Sequence, residues 1–262
     1  MALSKNTIVE LAELLDRAER DRQPIEKITA RYPEMEWADA YLIQDALKKR
    51  KETRGGRCVG IKAGLTSFAK MKQMGLETPV MGFLMAEGAV PDGGAVDTTR
   101  LIHPRVEAEI AFVLKRDLAG PNCSIDAVLD ATDFLLPAAE IIDSRYENFK
   151  FDLKSVIADN TSAALFVTGG AARLASGLDL GTIGVVMEKN GQVAATASGA
   201  AVLGNPALSV AMLADMMAAR GEAIPAGSFI MTGGATEAVA VKAGDVISVR
   251  YQHLGSISMR FV

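Results

Sequence analysis

Apolar residues return every three to four positions over the first fifty residues and cluster in short runs broken by glycine thereafter. Ile8, Leu11, Leu14, Leu15 and Ala18 share one face of a helix predicted from Thr7 to about Arg20, and Thr7 followed by Glu10 reads as a capping box. A second helix is predicted from about Trp37 to Thr53 on Ala38, Tyr41, Leu42 and Leu47, with Gly55-Gly56 to end it. Residues 1–56 are therefore expected to form a small helical N-terminal region, and 57–262 a β-rich catalytic domain.

From Cys58 the period shortens. CVGIKAGL, RVEAEIAFVL, ALFVTGG, IGVVMEKNGQVAAT, SFIMTGG and VISVRYQHLGSISMRFV are apolar runs of strand length ended by glycine turns. Asn190-Gly191 between two such runs signals a hairpin, and residues 253–255 separate two more strands, so antiparallel pairing is expected. Helices are predicted at 67–74, 124–130 and 205–220, the last with Asn205 as N-cap, Pro206 at its first position and Gly221 beyond its end. The class is α+β. FVTGGA at 166–171 resembles IMTGGA at 230–235, which reads either as two related strand-turn units or as two glycine turns after strands.

Composition narrows the function. With 49% hydrophobic residues the chain can bury a large core, and a net charge of −4 with scattered basic residues gives nucleic acid little to hold. Charges every few residues in MALSKNTIVELAELLDRAER exclude a signal peptide or membrane span there, so a cytoplasmic protein is expected. Cys58 and Cys123 have no ligand spacing, and His103 and His253 are the only histidines, which removes HExxH sites and makes a Ser-His-Asp triad a poor fit. No phosphate-cradling glycine motif occurs.

In the run from Arg105 to Leu114, strand alternation sends Glu107, Glu109, Ala111 and Val113 to one face. Carboxylates two residues apart lie about 6–7 Å from each other along a strand and need solvent or a cation between them. Glu140 sits in another apolar run, FLLPAAEII, where an unpaired acid is costly to bury. Three carboxylates without histidine or cysteine suit a hard ion, Mg²⁺ or Mn²⁺; the alternative is that Glu107 and Glu109 line a solvated sheet edge. Lys62, before the glycine turn of GIKAGLTS, reads as a surface lysine or a functional one. The charged and aromatic stretch 143–152 reads as a lid or as a plain surface helix.

Taken in order, GIKAGLTS, HPRVEAEIAFVL, LPAAEIIDSRY and ADNTS resemble the hydratase/decarboxylase branch of the fumarylacetoacetate-hydrolase superfamily over nearly the whole chain. The resemblance implies a helical N-terminal part, a mixed β-roll core, and Mg²⁺ or Mn²⁺ held by Glu107, Glu109 and Glu140. It implies catalytic roles for Lys62 and Ser162 and substrate contacts at Leu65, Thr66 and Ser67, to which Thr232 of IMTGGA is added. The implied substrate is a small 2-oxo dicarboxylate, 2-oxohex-3-enedioate, losing its C6 carboxylate as CO₂, with Arg145 or Lys150 meeting that carboxylate. SRYENFKFDLKSVIADN and AKMKQMGLETPVMGFL look more like decarboxylating than hydrating members. A hydratase acting on a 2-hydroxydienoate is the first alternative, an acylpyruvate hydrolase or a non-catalytic partner subunit the others. The resemblance also implies an oligomer and a complex with a related hydratase.

Overall fold

The computed structural model describes residues 3–262 except 69, 70, 73, 74 and 76. Helix α1 (Lys5–Asp21) begins one turn earlier than the sequence suggests: the Ser4 hydroxyl accepts the Thr7 amide at 3.1 Å, so Ser4 is the cap and the Thr7-Glu10 box is not used. Helix α2 (Trp37–Thr53) has the expected bounds, with Glu36 and Asp39 capping each other's backbone. The two helices pack through Ile8, Leu11, Leu15, Ile43 and Leu47, and Val80, Phe83, Tyr146 and Ile157 from later in the chain complete that core. The helical region thus shares its apolar interior with the elements around the site.

Strands and helices then follow as β1 (Cys58–Gly64), β2 (Val80–Met85), β3 (Ala89–Pro91), β4 (Ala95–Val96), β5 (Arg105–Leu114), α3 (Ile125–Ala131), β6 (Thr132–Ile142), α4 (Leu153–Ala158) and β7 (Ala163–Thr168). The remainder is β8 (Gly184–Lys189), β9 (Gln192–Ser198), α5 (Pro206–Ala218), β10 (Phe229–Met231), β11 (Val239–Ala240), β12 (Val246–Tyr251) and β13 (Gly255–Phe261). The helix expected over 67–74 falls partly outside the described residues. Asn190 and Gly191 both take positive φ, 55° and 77°, the combination that joins β8 to β9 in a tight hairpin.

An eight-stranded sheet runs β2-β1-β10-β5-β6-β7-β3, with β11 also on β5; a five-stranded sheet runs β4-β13-β12-β8-β9. Both are mixed, since β1/β10, β3/β7 and β4/β13 pair in parallel. Alternation along β5 decides where the core sits. Val106, Ala108, Ile110, Phe112 and Leu114 enter the main core with Ile247, Val249, Ile257, Met259 and α5. Glu107, Glu109 and Ala111 face the other way, toward a smaller apolar cluster of Leu84, Ala111, Ala138, Phe166 and Met231. The large sheet curls around that cluster, with β3 as its edge strand beside β7.

The helical stretch Gly199–Ala218 has the length and apolar content of a membrane span, but α5 within it is a core helix. Ala207, Val210, Ala211, Leu213 and Ala214 are all buried, and thirteen helical residues reach only about 20 Å, short of the ~30 Å hydrocarbon core.

Candidate metal centre and active site

β5 and β6 are antiparallel with Glu107 directly opposite Glu140, so two of the three carboxylates are cross-strand neighbours and Glu109 lies two residues along. One oxygen from each comes within 4.8 Å of the others. Glu109 and Glu140 are fully buried, which excludes a solvated sheet edge. An oxygen on each, Oε1, finds no hydrogen-bond partner among the described residues. Burial, and then the neighbouring charge of Glu140, push the Glu109 carboxyl well above the usual carboxylate range, with Lys62 opposing them. Buried, convergent and partly unpaired carboxylate oxygens of this kind fit a hard divalent cation.

The turn after β10 completes the cradle. The Gly233 amide donates to Glu109 Oε2 at 2.7 Å, and a Cβ on Gly234 would stand 2.9 Å from the Glu107 carboxyl carbon, so only a glycine leaves that carboxylate its place. The glycines of IMTGGA carry this function without side chains, and the signal for them in sequence is only a glycine pair after a strand. FVTGGA ends β7 differently: its positive φ falls on the second glycine, Gly170, where IMTGGA has it on the first, Gly233, and its Gly169 packs on Asp92.

Lys62 is not a surface lysine. It is 2% exposed, and its Nζ donates to Glu140 Oε2 at 2.9 Å and to the Thr161 carbonyl at 3.0 Å. The two strands stand three places apart in the sheet, about 14 Å if flat, so this bond exists because the sheet curls. Thr161 sits over Gly82, where a Cβ would stand 2.6 Å from its hydroxyl, and packs at ordinary contact distance beside Gly64.

The other expected residues divide. Thr66 is buried against Gly233, and its carbonyl accepts the Leu203 amide at 3.0 Å. Leu65 before it takes φ 57°, and Ser67 is half-buried. Thr232 and Ser162 are both buried with their hydroxyls turned to the protein, Thr232 Oγ1 to the Ile110 carbonyl at 2.9 Å and Ser162 Oγ to Asp159 Oδ2 at 3.3 Å. Lys150 is exposed, following Phe149, which packs on His103 and the Arg105 guanidinium.

Arg145 requires a correction. Expected at the departing carboxylate, it is 0% exposed, and its guanidinium is taken up by the Asp159 carboxylate and the carbonyls of Asp143, Asp159 and Ala163. Four of its five N–H groups are engaged by these acceptors, and the fifth, on Nη2, is enclosed with the rest of the side chain, so the guanidinium presents no open face to a ligand. The stretch 143–152 is accordingly neither a free lid nor a plain helix: Asp143 to Tyr146 are buried, and only its later part reaches the surface.

Residues 60–262 match the family described as Fumarylacetoacetate (FAA) hydrolase C-terminal. Over 260 residues the sequence is 59% identical to the 4-oxalocrotonate decarboxylase of Pseudomonas sp. (strain CF600), covering 99% of this chain and 98% of that one. It is 38% identical over 264 residues to the 2-oxo-hept-4-ene-1,7-dioate hydratase of Escherichia coli, covering 98% of this chain and 99% of the relative. The fold matches the solved structure of 4-oxalocrotonate decarboxylase from Pseudomonas putida G7, complexed with magnesium and adipate, at a TM-score of 0.97 and 55% identity over 99% of each chain. With its carboxylate cluster, curled mixed sheet and these relatives, the chain belongs to the fumarylacetoacetate hydrolase family.

Proposed function

We propose that this protein is a Mg²⁺-dependent lyase that decarboxylates 2-oxohex-3-enedioate (4-oxalocrotonate) to 2-hydroxypenta-2,4-dienoate or its 2-oxopent-4-enoate tautomer, a step in meta-cleavage breakdown of aromatics. The carrying observation is the cluster of Glu107, Glu109 and Glu140 with Lys62 bonded to one of its members. Greater likeness to the decarboxylase than to the hydratase supports the choice between them.

Glu107, Glu109 and Glu140 would hold the ion. An ion held there would supply Lewis-acid stabilisation of the negative charge that develops at the 2-oxo acid end of the substrate as C6 is lost as CO₂. Lys62 has two N–H groups engaged by Glu140 and Thr161, which leaves one to donate to the oxygen where charge develops, or to carry a proton to the product. The apolar wall of Leu84, Ala138, Phe166 and Met231 keeps water from that end of the roll. The amide of Gly233 holds Glu109 in place.

Thr66, with Leu65 and Ser67, is assigned to the substrate pocket, and Ser162 and Thr232 to its support through the backbone. Lys150, being exposed, is assigned the C6 carboxylate during approach. A loose grip there suits the chemistry, since tight binding of the departing group would stabilise the ground state. We place the enzyme in the cytoplasm, where its two free thiols remain reduced, and in an oligomer or a complex with the hydratase that consumes its product. Trp37 and Leu42, exposed on α2, suit such an association.

The test is to supply 2-oxohex-3-enedioate with Mg²⁺ and follow CO₂, with EDTA and Glu107→Gln as controls. Metal-dependent CO₂ is expected. No CO₂, with loss of dienol absorbance from 2-hydroxypenta-2,4-dienoate, would make the protein a hydratase instead.

A further inference from the structure

Between α4 and β7 the backbone takes a form that side chains resist. Asn160, Thr161 and Ser162 follow one another at φ of 54°, 52° and 59°. Three left-handed residues in a row without a glycine, with a β-branched threonine in the middle, persist only where the surroundings over-determine them.

One guanidinium grips both flanks of this run. Arg145 Nη2 donates to the carbonyl of Asp159, the residue before it, and Nη1 to the carbonyl of Ala163, the residue after it, at 3.0 Å. Nη1 also reaches the Asp143 carbonyl at 2.7 Å, and Nε meets the Asp159 carboxylate. Arg145 and Asp159 are both fully buried. Glu19 of α1 adds a second negative charge facing Arg145, so the helical region bears on the same clamp. Within the run, Asn160 spends its side chain on β2, bonding both the amide and the carbonyl of Phe83 at 2.8 and 3.0 Å.

The middle carbonyl of the run is the one that Lys62 Nζ meets at 3.0 Å, its other bond going to Glu140 at 2.9 Å. An ammonium carries three N–H groups in tetrahedral array. Once two directions are fixed, the third is fixed with them.

We infer that Arg145 is a positioning residue for the reaction: by clamping both ends of the Asn160-Thr161-Ser162 run it sets the Thr161 carbonyl, and through it the direction of the one Lys62 N–H left for the substrate. The inference rests on the role of Lys62 proposed above. A buried ion pair with only a structural role would lower the fraction of folded protein and leave each folded site working normally. A misdirected donor lowers the rate at every site, because small errors of placement near the reacting atoms are expensive in rate.

The experiment uses the full chain loaded with Mn²⁺, comparing wild type with Arg145→Lys, Asp159→Asn, Lys62→Met and the Asp159→Asn/Lys62→Met double variant. Bound Mn²⁺ per chain, counted by electron paramagnetic resonance, gives the number of folded sites, and kcat is expressed per bound ion. Arg145→Lys and Asp159→Asn are each expected to lower that kcat about tenfold or more with KM changed less than about threefold. Asp159→Asn keeps an oxygen toward Nε and decides the matter if Arg145→Lys does not fold. In the double variant the Asp159 change is expected to add nothing to the Lys62 loss, since both act through one donor. A kcat per site within twofold of wild type in Asp159→Asn, or losses that multiply in the double variant, would overturn the inference while leaving Lys62 its role. Full activity in Lys62→Met would instead remove the reading of Lys62, and this inference with it.

Discussion

Lys62 Nζ donates to Glu140 Oε2 at 2.9 Å although β1 and β6 are separated by two intervening strands, β10 and β5. The contact joins the second strand of the curled sheet to its fifth and leaves a buried ammonium beside a cluster of three carboxylates. One ammonium then faces three clustered carboxyl groups, two of them fully buried.

Metal should therefore stabilise the fold as well as the reaction. A ligand that binds only the folded state at a hundred times its Kd contributes about 2.7 kcal/mol. For a domain of this size that is a rise in Tm of roughly 5–10 °C. Scanning calorimetry of the EDTA-treated protein with and without Mg²⁺ measures it, and Glu109→Gln should show much less of the rise. No Mg²⁺-dependent shift in the wild type would count against a metal site.

Gly234 offers a gentler probe. An added Cβ meets the Glu107 carboxylate oxygens at 3.0 and 3.2 Å, and the Glu107 carboxyl carbon at 2.9 Å. That side chain is only half-buried and can swing aside. Gly234→Ala is thus expected to fold with a metal-free Tm close to wild type but to bind Mg²⁺ about tenfold or more weakly, as seen by calorimetric titration. Unchanged affinity would mean that Glu107 is not held against this turn.

Much of this site is legible in sequence because strand alternation is strict. Glu107 and Glu109 had to share a face, and an acid at Glu140 amid FLLPAAEII had to find a partner. The register that sets Glu107 opposite Glu140, and the curl that brings Lys62 across two strands, are tertiary and leave no periodic trace. Arg145 went astray for a related reason. An arginine in a charged stretch reads as exposed, and only the buried carboxylate of Asp159, fourteen residues on, reveals that it is enclosed. The α1 start differed because Ser4 and Thr7 are both able caps, and it is the Ser4 hydroxyl that takes a first-turn amide, that of Thr7.

Thr161 carries a hydroxyl that is buried and finds no partner among the described residues. It lies over Gly82, next to the Lys62 strand. If the hydroxyl serves the substrate, Thr161→Val should lower kcat/KM about tenfold while Tm stays level or rises, since an unpaired buried polar atom is removed without a change of shape. A fall in Tm with kcat/KM unchanged would place its partner inside the fold.

Far from the site, Asp245 gives a pH dependence of known sign. Burial pushes its carboxyl up, but hydrogen bonds from Asn190 and Lys189, the Lys242 amide and the Lys189 charge outweigh it and bring the pKa down to about 2. The side chain is 5% exposed and ties the β8–β9 hairpin to the start of β12. A depressed folded pKa contributes stability that is present in full above the unfolded value of about 3.9 and is lost as pH falls through about 2. Asp245→Asn should therefore cost on the order of 2 kcal/mol at pH 7, and the gap from wild type should narrow between about pH 4 and pH 2. Urea unfolding of both proteins at pH 7, 4, 3 and about 2 measures this, compared as a difference so that the titration of other groups cancels. A gap that stays constant down to the lowest pH would show that the carboxylate charge contributes nothing, and that the loss comes from packing alone.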